Sequence, residues 1–171
     1  MADYKEPGTP VEGAVDTESL SNMNAIIDQM VLLKKVPLFS QLGISELGLI
    51  ARISSEEQFP DETILIEEGN QNRNLYIIMQ GFVELSAHLS KDQQGSLGVQ
   101  TAPNCLGEDS IFTGNPSPVS AQVIMGKARI LTIDGEDLKR LIRLYPEIGI
   151  GLLASTSNRL QNLQRMLIKM E

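Results

Sequence analysis

The chain contains one cysteine and one histidine, the residue types that most often act as nucleophiles or metal ligands. A zinc site needs three or four such ligands, so Cys105 and His88 alone cannot build one. Cys105 stands beside apolar Leu106, where a small buried side chain is expected. His88 lies in a predicted strand and is expected to have a hydrogen-bonded structural role. The chain also shows no recognisable nucleophile–base motif and no P-loop, so we predict that it is not an enzyme and uses no metal.

The charge balance argues against nucleic acid as a direct partner. There are 14 basic and 22 acidic residues, which gives a net charge of −8, and the longest basic run is Lys34-Lys35. Proteins that bind nucleic acid usually present a basic face that neutralises phosphates. The apolar runs are far shorter than the roughly 20 residues that span a bilayer, and the N-terminus lacks the layout of a secretory signal. One cysteine allows no internal disulfide, so we expect a cytoplasmic protein without a membrane span.

The first 22 residues differ in composition from the rest of the chain. They contain prolines, glycines and five acidic residues against one lysine. Such a segment has too little apolar surface to bury, so residues 1–22 are predicted to be a disordered acidic tail, with a docking peptide as the alternative. Residues 23–171 have a length that suits one domain.

Two helices are predicted at the start of this domain. Apolar residues from Met23 to Leu33 recur at steps of three and four, which places them on one face of a helix. That helix is expected to begin at residue 21 or 22 and to end before Pro37. Ser45 is expected to cap the second helix.

The apolar pattern then changes to that of strands. The predicted strands are 63–66, 75–79, 82–89, 121–125 and 128–133. Gln80-Gly81 is interpreted as a tight turn, and residues 91–96 as a hairpin tip. Short strands at this spacing predict an antiparallel roll or barrel.

After Asp134 the pattern becomes helical again. A short helix is expected to end near Tyr145-Pro146, and a long helix to follow over about residues 146–171. The long helix carries residues at alternating steps of three and four, the spacing of a dimer seam: Leu153, Thr156, Leu160, Leu163, Leu167 and Met170. We expect its first half to pack on the roll and its second half to pair with a copy, which makes the chain a homodimer.

Several segments, taken in order, resemble the cyclic nucleotide-binding domain family. Val36–Leu42 resembles the opening helical segment of that family. Ile66–Asn70 and Leu75–Ile78 resemble its hairpins, and Ala128–Asp134 resembles its closing strand. The resemblance covers roughly residues 31–170. It implies an α+β, mainly β fold: an antiparallel double-stranded β-helix, or jelly-roll-like β-roll, with N-terminal helices and a long C-terminal helix.

The resemblance also implies a phosphate-binding cassette between two strands. In the family, a glycine lets the backbone approach the ligand, the next glutamate accepts a hydrogen bond from the ribose, and a later arginine pairs with the cyclic phosphate. Gly107 and Glu108 match the first two positions, and Ser120 falls near a small hydroxyl position. The arginine position, directly after Pro116, is Ser117. The candidate ligand-binding residues are therefore Gly107, Glu108, Ser110, Ser117 and Ser120.

Departures from the family pattern argue against ordinary nucleotide binding. Ser117 carries no charge, Pro118 offers no backbone N–H, and Asp109 adds a negative charge near the phosphate position. A hydrogen bond to a charged group contributes about 1.5–3 kcal/mol, so loss of the arginine corresponds to roughly ten- to a hundredfold weaker binding. Leu163 and Gln164 also fall near the hydroxyl pair with which a family member contacts the purine. We therefore expect no bound cofactor, and neither cyclic AMP nor cyclic GMP held in the usual way.

Two functions remain open at this point. The favoured one is a regulatory or assembly module with a protein partner, in which Glu108 only stabilises a short helix through its dipole. The alternative is a sensor that binds a cyclic nucleotide or another small ligand in the roll and signals through the C-terminal helix. Transcription regulators of this family carry a helix-turn-helix domain after the long helix, so the chain either lacks that output or is a fragment.

Overall fold

The computed structural model describes residues 17–90 and 93–168, in which helices flank a run of strands. The helices are α1 (Thr17–Lys35), α2 (Ile44–Arg52), α3 (Glu108–Thr113), α4 (Gly135–Leu144) and α5 (Pro146–Ile168), with a 3₁₀ turn at Pro37–Phe39. The strands are β1 (Ser54–Phe59), β2 (Ile64–Ile66), β3 (Asn74–Ser90), β4 (Gln93–Thr101), β5 (Asn104–Leu106) and β6 (Ser120–Asp134). None of the described helices is both long and apolar enough to cross a bilayer.

Strands β3 and β6 form the centre of an antiparallel sheet. They pair over most of their length, from Asn74 opposite Asp134 to Ser86 opposite Ser120. The strand order is β1-β6-β3-β4, while β2 pairs with β6 and β5 pairs with β3. Because short strands pair with different parts of the two long ones, the sheet curls into a roll. The predicted antiparallel β-roll with N-terminal helices and a long C-terminal helix is confirmed.

The sequence prediction divided the two long strands wrongly. Segments 75–79 and 82–89, expected as separate strands around a tight turn at Gln80-Gly81, belong to one strand, β3. Gly81 has a φ of 101°, and the register of β3 against β6 shifts between Ile78 and Gln80 and again between Gln80 and Phe82. Gly126, with a φ of 99°, lies within β6 in the same way, between the predicted segments 121–125 and 128–133. A glycine with positive φ can form a bulge that bends a strand without ending it.

Three strands, β1, β4 and β5, were not predicted. The sequence of β1 is SSEEQF, and four of its six residues are exposed. It lies at the edge of the sheet, where Nε of Arg129 donates to Oε1 of Glu56 at 3.0 Å. β4 begins at Gln93, inside the segment that was expected to be a hairpin tip. An alternating apolar pattern requires one buried face, and these strands lack it or are too short to show it.

The N-terminal boundaries also need correction. Helix α1 begins at Thr17 and not at residue 21 or 22 as predicted, so residues 17–22 are helical; residues 1–16 of the predicted tail lie outside the described part. Residues 17–22 contain no proline or glycine that would stop the helix earlier. Ser45 does not cap α2, because the N-cap residue is Gly43 and Ser45 lies in the first turn. Glu46 in that turn interacts favourably with the helix dipole.

The core lies on both sides of β3. Leu75 and Ile77 pack against the helices, whereas Tyr76 and Ile78 pack inside the roll. Successive residues of a strand point to opposite faces, so one strand supplies both parts of the core. The helical part joins α1, the 3₁₀ turn, α2, α4 and the first half of α5 to the sheet.

Cys105 and His88, the one cysteine and the one histidine of the chain, both lie in surroundings typical of structural residues. Cys105 is 6% exposed, as expected for a buried side chain, and burial raises the pKa of its thiol. The backbone N–H of His88 donates to Oε2 of Glu68 at 2.9 Å, and its Nδ1 lies 2.8 Å from the same oxygen. Within residues 17–90 and 93–168, no three His, Cys, Asp or Glu side chains are grouped so as to hold a metal ion.

We expect Gly81→Ala to destabilise the protein more than Gly98→Ala. Both glycines have positive φ, 101° and 124°, so either substitution introduces backbone strain of about 1–3 kcal/mol. A Cβ on Gly81 would also lie 2.8 Å from Cα of Ala128, which adds about 1–3 kcal/mol of overpacking, whereas a Cβ on Gly98 meets no atom within 4 Å. Urea denaturation of both variants measures the difference. Equal losses of unfolding free energy would contradict the close approach of β3 and β6 at Gly81.

Candidate functional site

The cassette, residues 107–119, lies between β5 and β6, and both of these strands pair with β3. Leu106 at the end of β5 lies opposite Tyr76 of β3. The next residue, Gly107, has a φ of 97°, and a Cβ there would lie 2.5 Å from the carbonyl oxygen of Asn74. The backbone path therefore requires glycine at this position.

Helix α3 is fixed by an apolar anchor and a C-terminal cap. Ile111 is 3% exposed and belongs to the helical part of the core. Gly114 ends the helix with a φ of 73°, and its N–H donates to the carbonyl oxygen of Ser110 at 2.9 Å. Both interactions lie within the chain and hold α3 against the helical part of the core.

Ser117, at the arginine position of the family pattern, is buried and fully hydrogen-bonded. It is 6% exposed. Its N–H donates to the carbonyl oxygen of Asn70 at 2.9 Å, and its own carbonyl oxygen accepts from the N–H of Gly69 at 2.8 Å. Its hydroxyl donates to the carbonyl oxygen of Val119 at 2.7 Å. Ser117 thus ties the cassette loop to the turn after β2 and keeps no free donor for a ligand.

A small cavity lies beside the cassette and encloses about 200 Å³. The predicted site residues that line it are Gly107, Glu108, Ser110 and Ser117. Gln100 and Asn104 add amide groups, and Nδ2 of Asn104 donates to Oε1 of Gln100. Pockets for small ligands usually enclose about 300–1,000 Å³, so this cavity is small for a nucleotide.

The structure places two other departures from the family pattern, Asp109 and Pro118, at the same cavity. Asp109 and Pro118 both line the cavity, so an extra carboxylate and a residue without an N–H lie at the site. Ser120, the fifth predicted residue, does not line it. Its hydroxyl instead accepts a hydrogen bond from the N–H of Glu68 at 3.0 Å.

Glu108 faces a cation that the sequence analysis missed. Its Oε1 lies 3.6 Å from Nη1 of Arg159 on α5, which is the one basic residue among the described residues that line the cavity. Burial raises the pKa of the Glu108 carboxyl; the negative charge of Asp109 acts in the same direction, and Arg159 opposes both. Arg159 comes seven and four residues after the buried Leu152 and Ser155 and so lies on the same side of α5, although its own side chain is 61% exposed; this spacing was the available signal.

The first half of α5 packs on the domain, as expected. Ile148, Leu152 and Ser155 are buried. Two residues of the predicted seam, Leu153 and Leu160, are instead 67% and 56% exposed. The described part of α5 therefore presents both a buried face and an apolar exposed one.

The rest of the predicted seam is only partly visible. Thr156 is exposed, and its hydroxyl donates to the carbonyl oxygen of Leu152 at 2.9 Å. The side chains of Leu163 and Leu167, and the whole of Met170, lie outside the described residues.

Comparison with known proteins identifies the class to which this fold and site belong. The model of the "Cyclic nucleotide-binding domain" family matches residues 56–145, just over half of the chain, from β1 through the cassette to the end of α4. The chain belongs to this family.

The relatives include regulators as well as potassium channels. The chain is 26% identical over 130 residues to the "CRP-like cAMP-activated global transcriptional regulator" of Mycobacterium tuberculosis, covering 76% of this chain and 58% of the relative. Two crystal structures share its fold at 24% identity. They are the Thermus thermophilus catabolite activator protein (TM-score 0.65; 78% of this chain, 62% of that one) and the N-terminal domain of a Streptomyces coelicolor A3(2) transcriptional regulator (TM-score 0.68; 80% and 94%). The chain spans less than two thirds of the length of the curated regulator that it matches.

Glu108→Gln should change how stability depends on pH. A carboxyl with a raised pKa in the folded state costs stability as the pH rises from its ordinary value of 4.5 through the raised value. Glu108→Gln should therefore gain stability relative to the unmodified protein over this range, measured by urea denaturation at successive pH values.

Glu136→Gln is the matched control for this prediction. Lys139 lies 2.9 Å from Glu136 and lowers the pKa of its carboxyl, so its contribution has the opposite sign. This variant should lose stability relative to the unmodified protein as the pH rises. A Glu108→Gln profile parallel to that of the unmodified protein would contradict the raised pKa.

Proposed function

We propose that the chain is a non-enzymatic, cytoplasmic regulatory or assembly module that dimerises through α5 and whose cassette does not hold cyclic AMP or cyclic GMP in the usual way. The observation that carries this proposal is the hydrogen bonding of Ser117. Its N–H, carbonyl and hydroxyl groups all form hydrogen bonds within the chain. A cyclic phosphate placed there would find neither a guanidinium nor a free hydroxyl, and it would have to break existing hydrogen bonds to gain new ones.

The charges around the cavity support the same proposal. Glu108 and Asp109 line it with two carboxyl groups, and Arg159 supplies one guanidinium. A cyclic phosphate would add a further negative charge to this partly desolvated surface. Since Arg159 already lies beside Glu108, its attraction for a phosphate is partly offset.

A sensor for a different small ligand is the second candidate function. The cavity favours this function, because it is present although Ser117 occupies the position at which the family pattern has an arginine. Gln100, Ser110 and Arg159 would contact such a ligand. Because Arg159 belongs to α5, this helix would transmit the binding event.

Titration calorimetry tests the ligand part of the proposal. Neither cyclic AMP nor cyclic GMP should give a saturating curve with a dissociation constant of low micromolar order, and both nucleotides should be recovered unchanged after incubation. A saturating low-micromolar curve for either one would refute the proposal. Ser117→Arg should tighten residual binding by about tenfold or more if the cassette keeps its shape. No change in that variant would show that Pro118 and the surrounding backbone also block the site.

The dimer part of the proposal comes from the exposed side of α5. Leu153 and Leu160 lie seven residues apart, about two helical turns, and both are largely exposed. Monomeric proteins rarely leave a long apolar stripe in water. Pairing two copies of α5 about a two-fold axis would bury this stripe against itself.

The double variant Leu153→Glu/Leu160→Glu should be monomeric while the unmodified chain is dimeric, because it places like charges in the seam. Ile64→Glu/Met125→Glu is the matched control, since Ile64 and Met125 are 60% and 76% exposed on the roll. Light scattering at micromolar concentrations gives the mass, and circular dichroism checks the fold. An unmodified chain that is monomeric in this range would contradict the proposed dimer.

A further inference from the structure

A groove lies between α1 and α2, away from the cassette. It encloses about 560 Å³ and shares no lining residue with the cavity beside the cassette. We call it the α1–α2 groove. Its apolar lining residues are Ile27, Met30, Val31, Leu42, Ile44 and Leu47.

The apolar surface of the α1–α2 groove is exposed, although the two helices beneath it are fixed. Leu33 of α1 and Ile50 of α2 are buried in the helical part of the core. On the groove side, Ile27 and Val31 are 49% and 53% exposed, and Ile44 is 78% exposed. Ile27 and Val31 lie one turn apart on the same face of α1. A connected apolar patch of this kind on a rigid surface usually marks a binding site.

Two lysines at the end of α1 give the groove a positive charge. Lys34 and Lys35 both line it. Nζ of Lys34 donates to two carbonyl oxygens, at 2.9 and 2.8 Å, which carry no net charge. Among the residues that the structure describes, no carboxylate forms an ion pair with either lysine. Asp28 and Glu46 belong to the same two helices but do not line the groove. An occupant with both apolar and acidic side chains is therefore complementary to it.

The chain itself contains a segment with this composition. Residues 1–16, which lie outside the described part, have the apolar residues Tyr4, Val11 and Val15 and one lysine, Lys5. Their acidic residues are Asp3, Glu6, Glu12 and Asp16.

The length of this segment allows it to reach the groove. Glu6 precedes Thr17 by 11 residues, which span up to about 36 Å when extended. Lys35 follows Thr17 by 18 residues, which is about 27 Å along α1. Glu6 and the residues before it can therefore contact the lysines of the same chain.

From these observations we propose that residues 1–16 turn back along α1 and lie in the α1–α2 groove of their own chain, with acidic side chains beside Lys34 and Lys35. The segment then covers apolar surface that α1 and α2 leave open. Any other acidic protein that binds at this groove must displace the segment, so the two compete. This contact is separate from the cassette and from the proposed dimer through α5.

Carbodiimide cross-linking of the full chain tests the inference. The reagent joins a lysine amine to a contacting carboxylate as an amide, with loss of water. Mass spectrometry should identify links from the carboxylates of Asp3 or Glu6 to the two groove lysines. Lys139 and Glu136, which lie 2.9 Å apart, provide the positive control within the same sample. A link between these two residues without any link from residues 1–16 to the groove would overturn the inference.

A mixture of isotopically light and heavy chains identifies the chain that supplies the segment. The linked peptides should carry one label throughout, because the segment and the groove belong to the same chain. Linked peptides that combine the two labels as often as random pairing predicts would show that another copy supplies the segment, and this result would also overturn the inference.

Val31→Asp tests whether the links depend on the apolar groove. The variant places a carboxylate beneath the docked segment, so the yield of the links should fall by about tenfold or more. Leu97→Asp is the matched control, because Leu97 of β4 is also 53% exposed, and its yield should stay within about twofold of the unmodified value. Circular dichroism checks the fold of both variants. An unchanged yield for a folded Val31→Asp variant would show that the links form without the groove, which contradicts the proposed contact.

Discussion

Strands β3 and β6 pair from Asn74 opposite Asp134 to Ser86 opposite Ser120, and every other described strand attaches to one of these two. The cassette lies between β5, which β3 holds, and the first residue of β6. Helix α4 begins where β6 ends, and the Asp134 carboxylate caps it by accepting from the N–H of Glu136 at 2.8 Å. The register of one strand pair therefore sets the positions of the cassette, of α4 and, through α4, of α5.

The parts of the fold that sequence could predict were those with a local cause. The helical spacing of apolar residues predicted α5, and the Gly107-Glu108 pair located the cassette, because both signals lie within a few neighbouring residues. The bend of β3 at Gly81 was misread as a turn because the close approach of Ala128 comes from a strand more than 40 residues away. Strand β1 was not predicted because its polar sequence is explained only by its edge position in the sheet.

The site shows the same division between local and distant causes. That Ser117 stands at the arginine position is a local fact, and the sequence displayed it. Three hydrogen bonds of Ser117 join it to Gly69, Asn70 and Val119, and two of those residues are distant in sequence. The position of Arg159 beside Glu108 depends on how α5 docks, and the sequence indicates only that Arg159 lies on the same side of the helix as Leu152 and Ser155.

Packing within the chain explains why the cassette backbone keeps its fold although the arginine of the family pattern is absent. Burial of a side chain such as Ile111, which is 3% exposed, contributes about 1.5–3 kcal/mol to folding. A Cβ on Gly135 would lie 2.7 Å from the carbonyl oxygen of Arg73 and 3.0 Å from Cγ1 of Ile111, so α3 and the start of α4 are closely fitted. These contacts stabilise the fold whether or not a ligand binds. A match to the family pattern at such packed positions therefore indicates the fold only. Whether a ligand binds is indicated by the groups that face the cavity.

The cation at the cavity also belongs to a different element from the one that the family pattern specifies. An arginine within the cassette would meet a ligand's charge inside one loop, whereas Arg159 lies on α5, 3.6 Å from Glu108. Any event that neutralises Glu108 weakens its attraction for Arg159, and any movement of Arg159 away from the cavity favours the protonated carboxyl. Thermodynamic reciprocity makes these two effects equal in free energy. The charge state of Glu108 is thus coupled to the position of the Arg159 guanidinium by this ion pair.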